Sequence, residues 1–167
     1  MHARKVRGQL PVVDKRAIID LILKGLEAEL DGYARAAHTE AMDEQNKAEN
    51  KYDTRGLEAS YLAMGQSRQA AEAMEAIQKY KALPVVAFKS SDAIDVGAVV
   101  ELDAGDSSIY FIGPCGGGME IVHRGKAVLV ITPRSPLGQL LIGRKTGDRL
   151  EFGPGAAKVR YRVVAVK

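Results

Sequence analysis

Apolar residues recur every three or four positions over two long stretches in the first half of the chain. The first stretch runs from Asp14 to about Asn46, and the second runs from about Thr54 to Ala82. This spacing is that of one face of an α-helix. Two amphipathic helices joined by a short polar turn predict an antiparallel hairpin, a thin coiled coil with an alanine-rich seam. The predicted apolar stripes are Ile19, Ile22, Leu26, Leu30, Tyr33 and Ala37 in the first helix, and Leu57, Tyr61, Met64, Ala71, Met74 and Ile77 in the second.

After Pro84 the apolar period changes to two and β-branched residues become frequent. Glycine and proline turns separate the segments with this pattern, which predicts short strands. Ser135-Pro136, followed by Gly143, has the cap, the first-turn proline and the closing glycine of one short helix. The predicted strands are residues 85–88, 98–102, 108–112, 119–122, 127–131, 149–152 and 159–164.

The two patterns together predict an α+β chain with two domains. Residues 1–83 would form a basic N-terminal tail and the helical hairpin, with an acidic tip near residues 43–58. Residues 84–167 would form a small antiparallel β-domain, curved or barrel-like, with one short helix.

The composition argues against an internal disulfide, a metal site and a membrane helix. The single cysteine, Cys115, excludes an internal disulfide, and His2, His38 and His123 are too far apart to suggest a metal site with it. No apolar run approaches the roughly 20 residues of a membrane helix. We therefore predict a cytoplasmic protein with no membrane partner and no tightly bound cofactor.

The turn between the two helices carries most of the candidate chemistry. Residues 40–58 hold six acids and three bases, a local net charge of −3 in a chain whose total is +3. Carboxylate oxygens are the ligands that Mg²⁺ prefers, and one or two suffice to retain a weakly held second ion. The acids are Glu40, Asp43, Glu44, Glu49, Asp53 and Glu58, and the bases are Lys47, Lys51 and Arg55.

Four of these six acids also have an ordinary structural role open to them. Asp53 would serve as the N-cap of the second helix as well as a metal ligand, and Glu58 would sit on a solvated helix face or pair with Arg55. Asp43 and Glu44 lie at helical spacing from Lys47. Glu49 is the leading candidate ligand, because no such structural role explains it.

Other features of the second half allow two interpretations each. Gly116-Gly117-Gly118 fits a hairpin loop better than a phosphate cradle, since no P-loop string accompanies it. Neighbouring Cys115 is interpreted as an inert loop residue. Six basic residues form either a patch facing an acidic partner or RNA, or a solvated surface: Arg124, Lys126, Arg134, Arg144, Lys145 and Arg149.

The segment "ITPRSPLGQLLIGRKTGDRLEF", residues 131–152, resembles the C-terminal signature of the Gre transcript-cleavage factors. "VRYRVVAV", residues 159–166, is similar to the last strand of the same domain. At the hairpin tip these factors carry a stretch of the form D-L-x-E-N-A-E-Y. The chain keeps Glu49-Asn50 and a following Tyr52 but has Lys47 near the position of the family's aspartate.

The resemblance implies a bacterial transcription elongation factor whose C-terminal domain resembles FK506-binding proteins. Such a domain docks at the mouth of the RNA polymerase secondary channel, and the hairpin enters the channel. Carboxylates at the tip, here Glu49, Asp53, Glu44 and Asp43, would help to hold a second Mg²⁺ supplied at the polymerase active site. The polymerase would remain the enzyme and would cleave backtracked RNA. The resemblance also implies a monomer that contacts transcript RNA or DNA in the elongation complex.

Two other functions remain open at this point. A non-catalytic regulator would occupy the same channel without stimulating cleavage, and the bases interleaved at the tip favour it. A peptidyl-prolyl isomerase would use the C-terminal domain itself, although the sequence indicates no aromatic-lined proline pocket.

Overall fold

The computed structural model describes the backbone at residues 13–46 and 54–167 and the side chains at residues 13–40, 42 and 62–167. Three helices lie in these ranges: α1 (Lys15–Asn46), α2 (Thr54–Ala82) and α3 (Pro136–Leu141). The strands are β1 (Val99–Asp103), β2 (Ser107–Ile112), β3 (Glu120–His123), β4 (Lys126–Ile131), β5 (Arg149–Phe152) and β6 (Val159–Val166). An N-terminal helical region followed by a sheet with one short helix is the predicted fold class.

The described chain divides into two compact units. One is Asp20–Ala82, and the other joins the residues up to Ile19 to Leu83–Lys167. Lys15–Ile19, the first turn of α1, thus belongs to the unit that contains the sheet.

The two helices of the unit Asp20–Ala82 run antiparallel. Glu27 Oε1 lies 4.0 Å from Lys81 Nζ, and Gln66 Nε2 donates a 3.5 Å hydrogen bond to Glu40 Oε1. Residue numbers along α1 increase from Glu27 to Glu40, while the numbers of their partners on α2 decrease from Lys81 to Gln66. This pairing confirms the predicted hairpin.

The stripe of α2 that is covered differs from the predicted one. Met64 and Met74 are 68% and 52% exposed, and Ala71 is exposed too. The covered residues are spaced at three and four positions: Gln66, Ala70, Ala73, Ile77 and Tyr80. Ile77 and the alanine-rich seam are as predicted, whereas the two methionines and Ala71 are not, because small side chains let two helices approach closely and the methionines lie beside that seam. The predicted stripe residues Leu57 and Tyr61 lie outside the described side chains.

The sheet has six strands in the order β3-β4-β2-β1-β6-β5. Among the described strands, four neighbouring pairs are antiparallel and one pair, β2 with β4, is parallel. The predicted purely antiparallel arrangement fails at that pair. The reason lies in composition: β4 is Val- and Ile-rich and occupies an interior position, while β3, with exposed Glu120 and Val122, suits the edge.

Residues 85–88 form no strand, although their pattern predicted one. Val85 and Val86 are exposed, and the Val86 carbonyl accepts a 2.5 Å hydrogen bond from Lys15 Nζ. A segment with period-two patterning forms a strand only where a neighbouring strand is available for backbone hydrogen bonds. Here the element that bonds the segment is the start of α1.

One face of the sheet packs with α3 into a core. Alternate residues of the strands point to this face, as the strand period requires. The buried residues of this cluster are Ile94, Ala98, Val100, Leu102, Ile112, Ile131, Leu137, Leu141, Leu150, Val163 and Val166. The core thereby fixes the position of α3 on the sheet.

Candidate functional sites

The predicted tip ligands Glu49 and Asp53 lie outside the described residues. The described backbone brackets them, because α1 ends at Asn46 and α2 begins at Thr54. Asp43 and Glu44 fall in the last turn of α1, where the backbone carbonyls carry partial negative charge. The role of these acids as ligands stays a prediction.

Residues 13–40, 42 and 62–167 contain no group of three His, Cys, Asp or Glu side chains able to hold a metal ion. In the described ranges, no helix is long and apolar enough to cross a membrane.

A polar pair within the hairpin was missed by sequence reasoning. Gln66 Nε2 bonds Glu40 Oε1, and both residues are partly covered. Gln66 occupies a position of the α2 stripe, where the periodic apolar pattern predicts a hydrophobic side chain. A polar pair in an otherwise small-residue seam fixes the register of two helices at some cost in stability.

The C-terminal signature is organised by the cap of α3. Ser135 Oγ accepts a 3.1 Å hydrogen bond from Gly138 N and donates a 2.7 Å bond to the Thr132 carbonyl. Pro136 occupies the first turn, as predicted. A Cβ on Gly138 would lie 1.9 Å from the Thr132 carbonyl oxygen, so this position requires glycine. The motif is thus a tight strand-to-helix turn in which each conspicuous residue has a structural function.

The turn presents a mixed apolar and basic surface at the end of α3. Leu140 and Ile142 are exposed, and the Arg144 guanidinium donates to the Leu140 and Arg149 carbonyls. Lys145 is also exposed. We define the α3 surface as Leu140, Ile142, Arg144 and Lys145. Exposed aliphatic groups beside fixed cations are typical of protein-binding surfaces.

The predicted cluster of six basic residues is divided between two places. Arg124 lies in the β3–β4 turn and Lys126 begins β4, whereas Arg149 lies on β5. Strands β3 and β5 are the opposite edges of the sheet. Arg144 contacts the Arg149 carbonyl and so belongs with β5.

The glycine segment 116–118 connects strands that are not neighbours in the sheet, since β4 lies between β2 and β3. It is therefore a crossover loop and not the predicted hairpin loop. Gly118 N donates to the Val130 carbonyl at 2.8 Å, and Gly116 and Gly118 have φ of 72° and 96°. Glycine is needed there for the left-handed backbone, which explains the segment without a phosphate.

Comparison with known proteins identifies this domain. Residues 89–167 match the family model described as "Transcription elongation factor, GreA/GreB, C-term". Over 156 residues the chain is 26% identical to the transcription inhibitor protein Gfh1 of Thermus thermophilus, covering 90% of this chain and 94% of that protein. The second half of the chain is therefore similar to the C-terminal domain of the GreA/GreB transcription elongation factors.

Solved structures of the same group are also similar to this chain. Gfh1 of Thermus aquaticus is 24% identical, with 90% of this chain and 94% of that chain covered and a TM-score of 0.37. A GreA/GreB elongation factor of Nitrosomonas europaea is 18% identical, with 56% and 78% covered and a TM-score of 0.35.

Proposed function

We propose that this protein binds RNA polymerase at its secondary channel and regulates transcription without stimulating RNA cleavage. The observation that carries the proposal is the similarity to Gfh1 over 90% of the chain, because that relative is named a transcription inhibitor and the match is not confined to the C-terminal domain. The interleaving of Lys47, Lys51 and Arg55 with the tip acids supports it, since these cations weaken the field that would retain a second Mg²⁺.

The docking part of the proposal is assigned to the α3 surface. Leu140 and Ile142 would enter an apolar pocket of the polymerase, and Arg144 and Lys145 would face acidic residues around it. Arg144 is held by two carbonyls, so its charge is presented in a fixed position and little side-chain entropy is lost on binding.

Stimulation of RNA cleavage is the second candidate function. The excess of acids over bases in residues 40–58 and the Glu49-Asn50 pair favour it. Glu49 and Asp53 would then be the ligands of the second Mg²⁺, with Glu44 and Asp43 nearby, and the polymerase would perform the chemistry.

One assay separates the two functions. RNA polymerase is halted in a backtracked complex with labelled RNA and Mg²⁺, and the protein is added at a concentration shown to saturate binding. We expect binding, slower elongation and no shortened RNA. Shortened RNA that appears only with the protein would overturn the regulator and establish the cleavage factor. Glu49→Ala and Asp53→Ala would then abolish shortening without abolishing binding.

A further inference from the structure

An open cavity lies within the sheet-containing unit, and no residue of α3 lines it. Its volume is about 450 Å³. The walls come from the start of α1, the segment after α2, the β3–β4 turn and the last residue of the chain. The lining residues used below are Lys15, Arg16, Val85, Val86, Arg124 and Lys167.

The charge of this cavity is one-sided. Four basic residues line it, and Asp14 is the acid among its lining residues. Asp14 Oδ1 already accepts a hydrogen bond from Ala17 N at 3.1 Å, as the N-cap of α1. Arg16, Arg124 and Lys167 form no salt bridge with any residue in the described ranges. The cavity therefore offers positive charge that the described protein leaves uncompensated.

Arg124 supplies its charge from an unusual backbone position. Its φ is 51°, and it is the one non-glycine residue with a left-handed backbone in the described part of the chain. Glycine or asparagine adopts this conformation at lower cost. Arg124 and Gly125 (φ 75°) are the two central residues of the β3–β4 hairpin turn, which requires a left-handed backbone at both positions, and this turn places the guanidinium at the cavity wall.

Part of the cavity lining is aliphatic. Val85 and Val86 are 44% and 51% exposed and belong to no helix or strand. The Lys15 ammonium lies 4.2 Å from the centre of the Phe88 ring and covers it. The two valines thus favour contact with an aliphatic side chain, and the Lys15 ammonium takes up one face of the ring on which a nucleic-acid base could stack.

We propose that this cavity binds an acidic peptide segment of a partner protein, with carboxylates on Arg16, Arg124 and Lys167 and an aliphatic side chain against Val85 and Val86. The chain's own residues 1–12 fit poorly as the occupant, because they carry Arg4, Lys5 and Arg7 and no acid. The proposal does not depend on polymerase binding through the α3 surface.

The test uses the full-length protein and a fluorescent peptide of sequence Glu-Asp-Leu-Asp-Glu, with binding followed by anisotropy at low salt. The comparison peptide is Gln-Asn-Leu-Asn-Gln. We expect measurable binding of the acidic peptide alone. Arg124→Asn should raise its Kd by about threefold or more, the loss expected for an ion pair, without lowering the melting temperature, because asparagine tolerates φ of 51°. Val86→Ser should also weaken binding.

Lys158→Gln is the matched control, because Lys158 is an exposed lysine that does not line the cavity. It should leave the Kd unchanged. Equal binding of the amide peptide, an unchanged Kd in Arg124→Asn, or a single-stranded RNA of equal charge that binds more tightly and loses affinity in Arg124→Asn would each overturn the proposal. No polymerase is present, so failure here is distinct from failure of the proposed function.

Discussion

Lys15 Nζ lies 4.2 Å from the centre of the Phe88 ring, and Lys15 is 8% exposed. Burial lowers its pKa to about 8, from an ordinary value of 10.5. The hydrogen bond to the Val86 carbonyl and the ring both favour the charged form and offset part of the burial cost. The contact therefore joins the start of α1 to the segment after α2 through a cation that is costly to bury.

The lowered pKa predicts that stability rises with pH. Below pH 8 the lysine is protonated in both states and contributes no slope. Between pH 8 and 10.5 the unfolded chain binds more protons than the folded chain, so the free energy of unfolding increases. We expect a gain on the order of 1 kcal/mol between pH 7.5 and 9.5, measured by urea unfolding.

Lys15→Met is the matched variant for this titration and should remove the gain. Measurement should stop at pH 9.5, because burial raises the pKa of Tyr110 and its ionisation destabilises the folded state above pH 10. The same slope in Lys15→Met would show that another group is responsible.

Gly138→Ala should destabilise the sheet-containing unit severely. The new Cβ would lie 1.9 Å from the Thr132 carbonyl oxygen, which is backbone and cannot move aside. We expect a loss of at least about 3 kcal/mol, or failure to fold, measured by thermal unfolding.

Gly32→Ala makes the same chemical change but should stabilise the protein. Gly32 lies in α1 with nothing within 4 Å of its Cβ position. Because alanine is the better helix former, we expect a gain of about 0.5–1 kcal/mol. A similar effect of both substitutions would contradict the geometry described for the α3 turn.

Ser107→Ala should destabilise the sheet through Glu101. Ser107 Oγ donates a 2.5 Å hydrogen bond to Glu101 Oε1, and Glu101 is 4% exposed on the interior strand β1. The substitution leaves the buried Glu101 carboxylate without this hydrogen bond, which should lower the free energy of unfolding by about 1–3 kcal/mol. The double variant Ser107→Ala/Glu101→Gln should recover part of the loss in chemical denaturation, and additive losses would refute the coupling.

Leu140→Ser with Ile142→Ser should weaken polymerase binding by about tenfold, the effect of removing one good apolar anchor. Circular dichroism should be unchanged, because both side chains are exposed. Val164→Ser, an exposed aliphatic residue on β6, is the control and should bind normally in a pull-down titration. Equal loss in both variants would argue against the α3 surface.

The sequence predicted the helices and strands well, because their periods are strong over long segments. Helix α2 has the predicted bounds, and β5 has them as well. The short helix follows from Ser135, Pro136 and Gly143, whose local chemistry determines the turn.

Pairing was harder to predict, since it depends on residues far apart in the chain. Nothing local to β2 specifies that its neighbour is β4 in parallel, and nothing in residues 85–88 indicates that Lys15 replaces a strand partner. The cavity residues Arg16, Arg124 and Lys167 are likewise separated by most of the chain. Spacing along the sequence contains no signal that would bring them together. The placement of Glu49 and Asp53 stays a prediction.

The first turn of α1 belongs to the same compact unit as Leu83–Lys167, and β1 pairs with β6, the last strand of the chain. On the ribosome, Lys15–Ile19 emerges early but lacks its packing partners until residue 166 has left the exit tunnel. The hairpin Asp20–Ala82 can form while the remainder is still being translated, because it is a compact unit formed from one continuous stretch of chain. Folding of the sheet-containing unit therefore waits for synthesis of β6, and a truncated translation product ending before β6 would expose apolar β1 to aggregation.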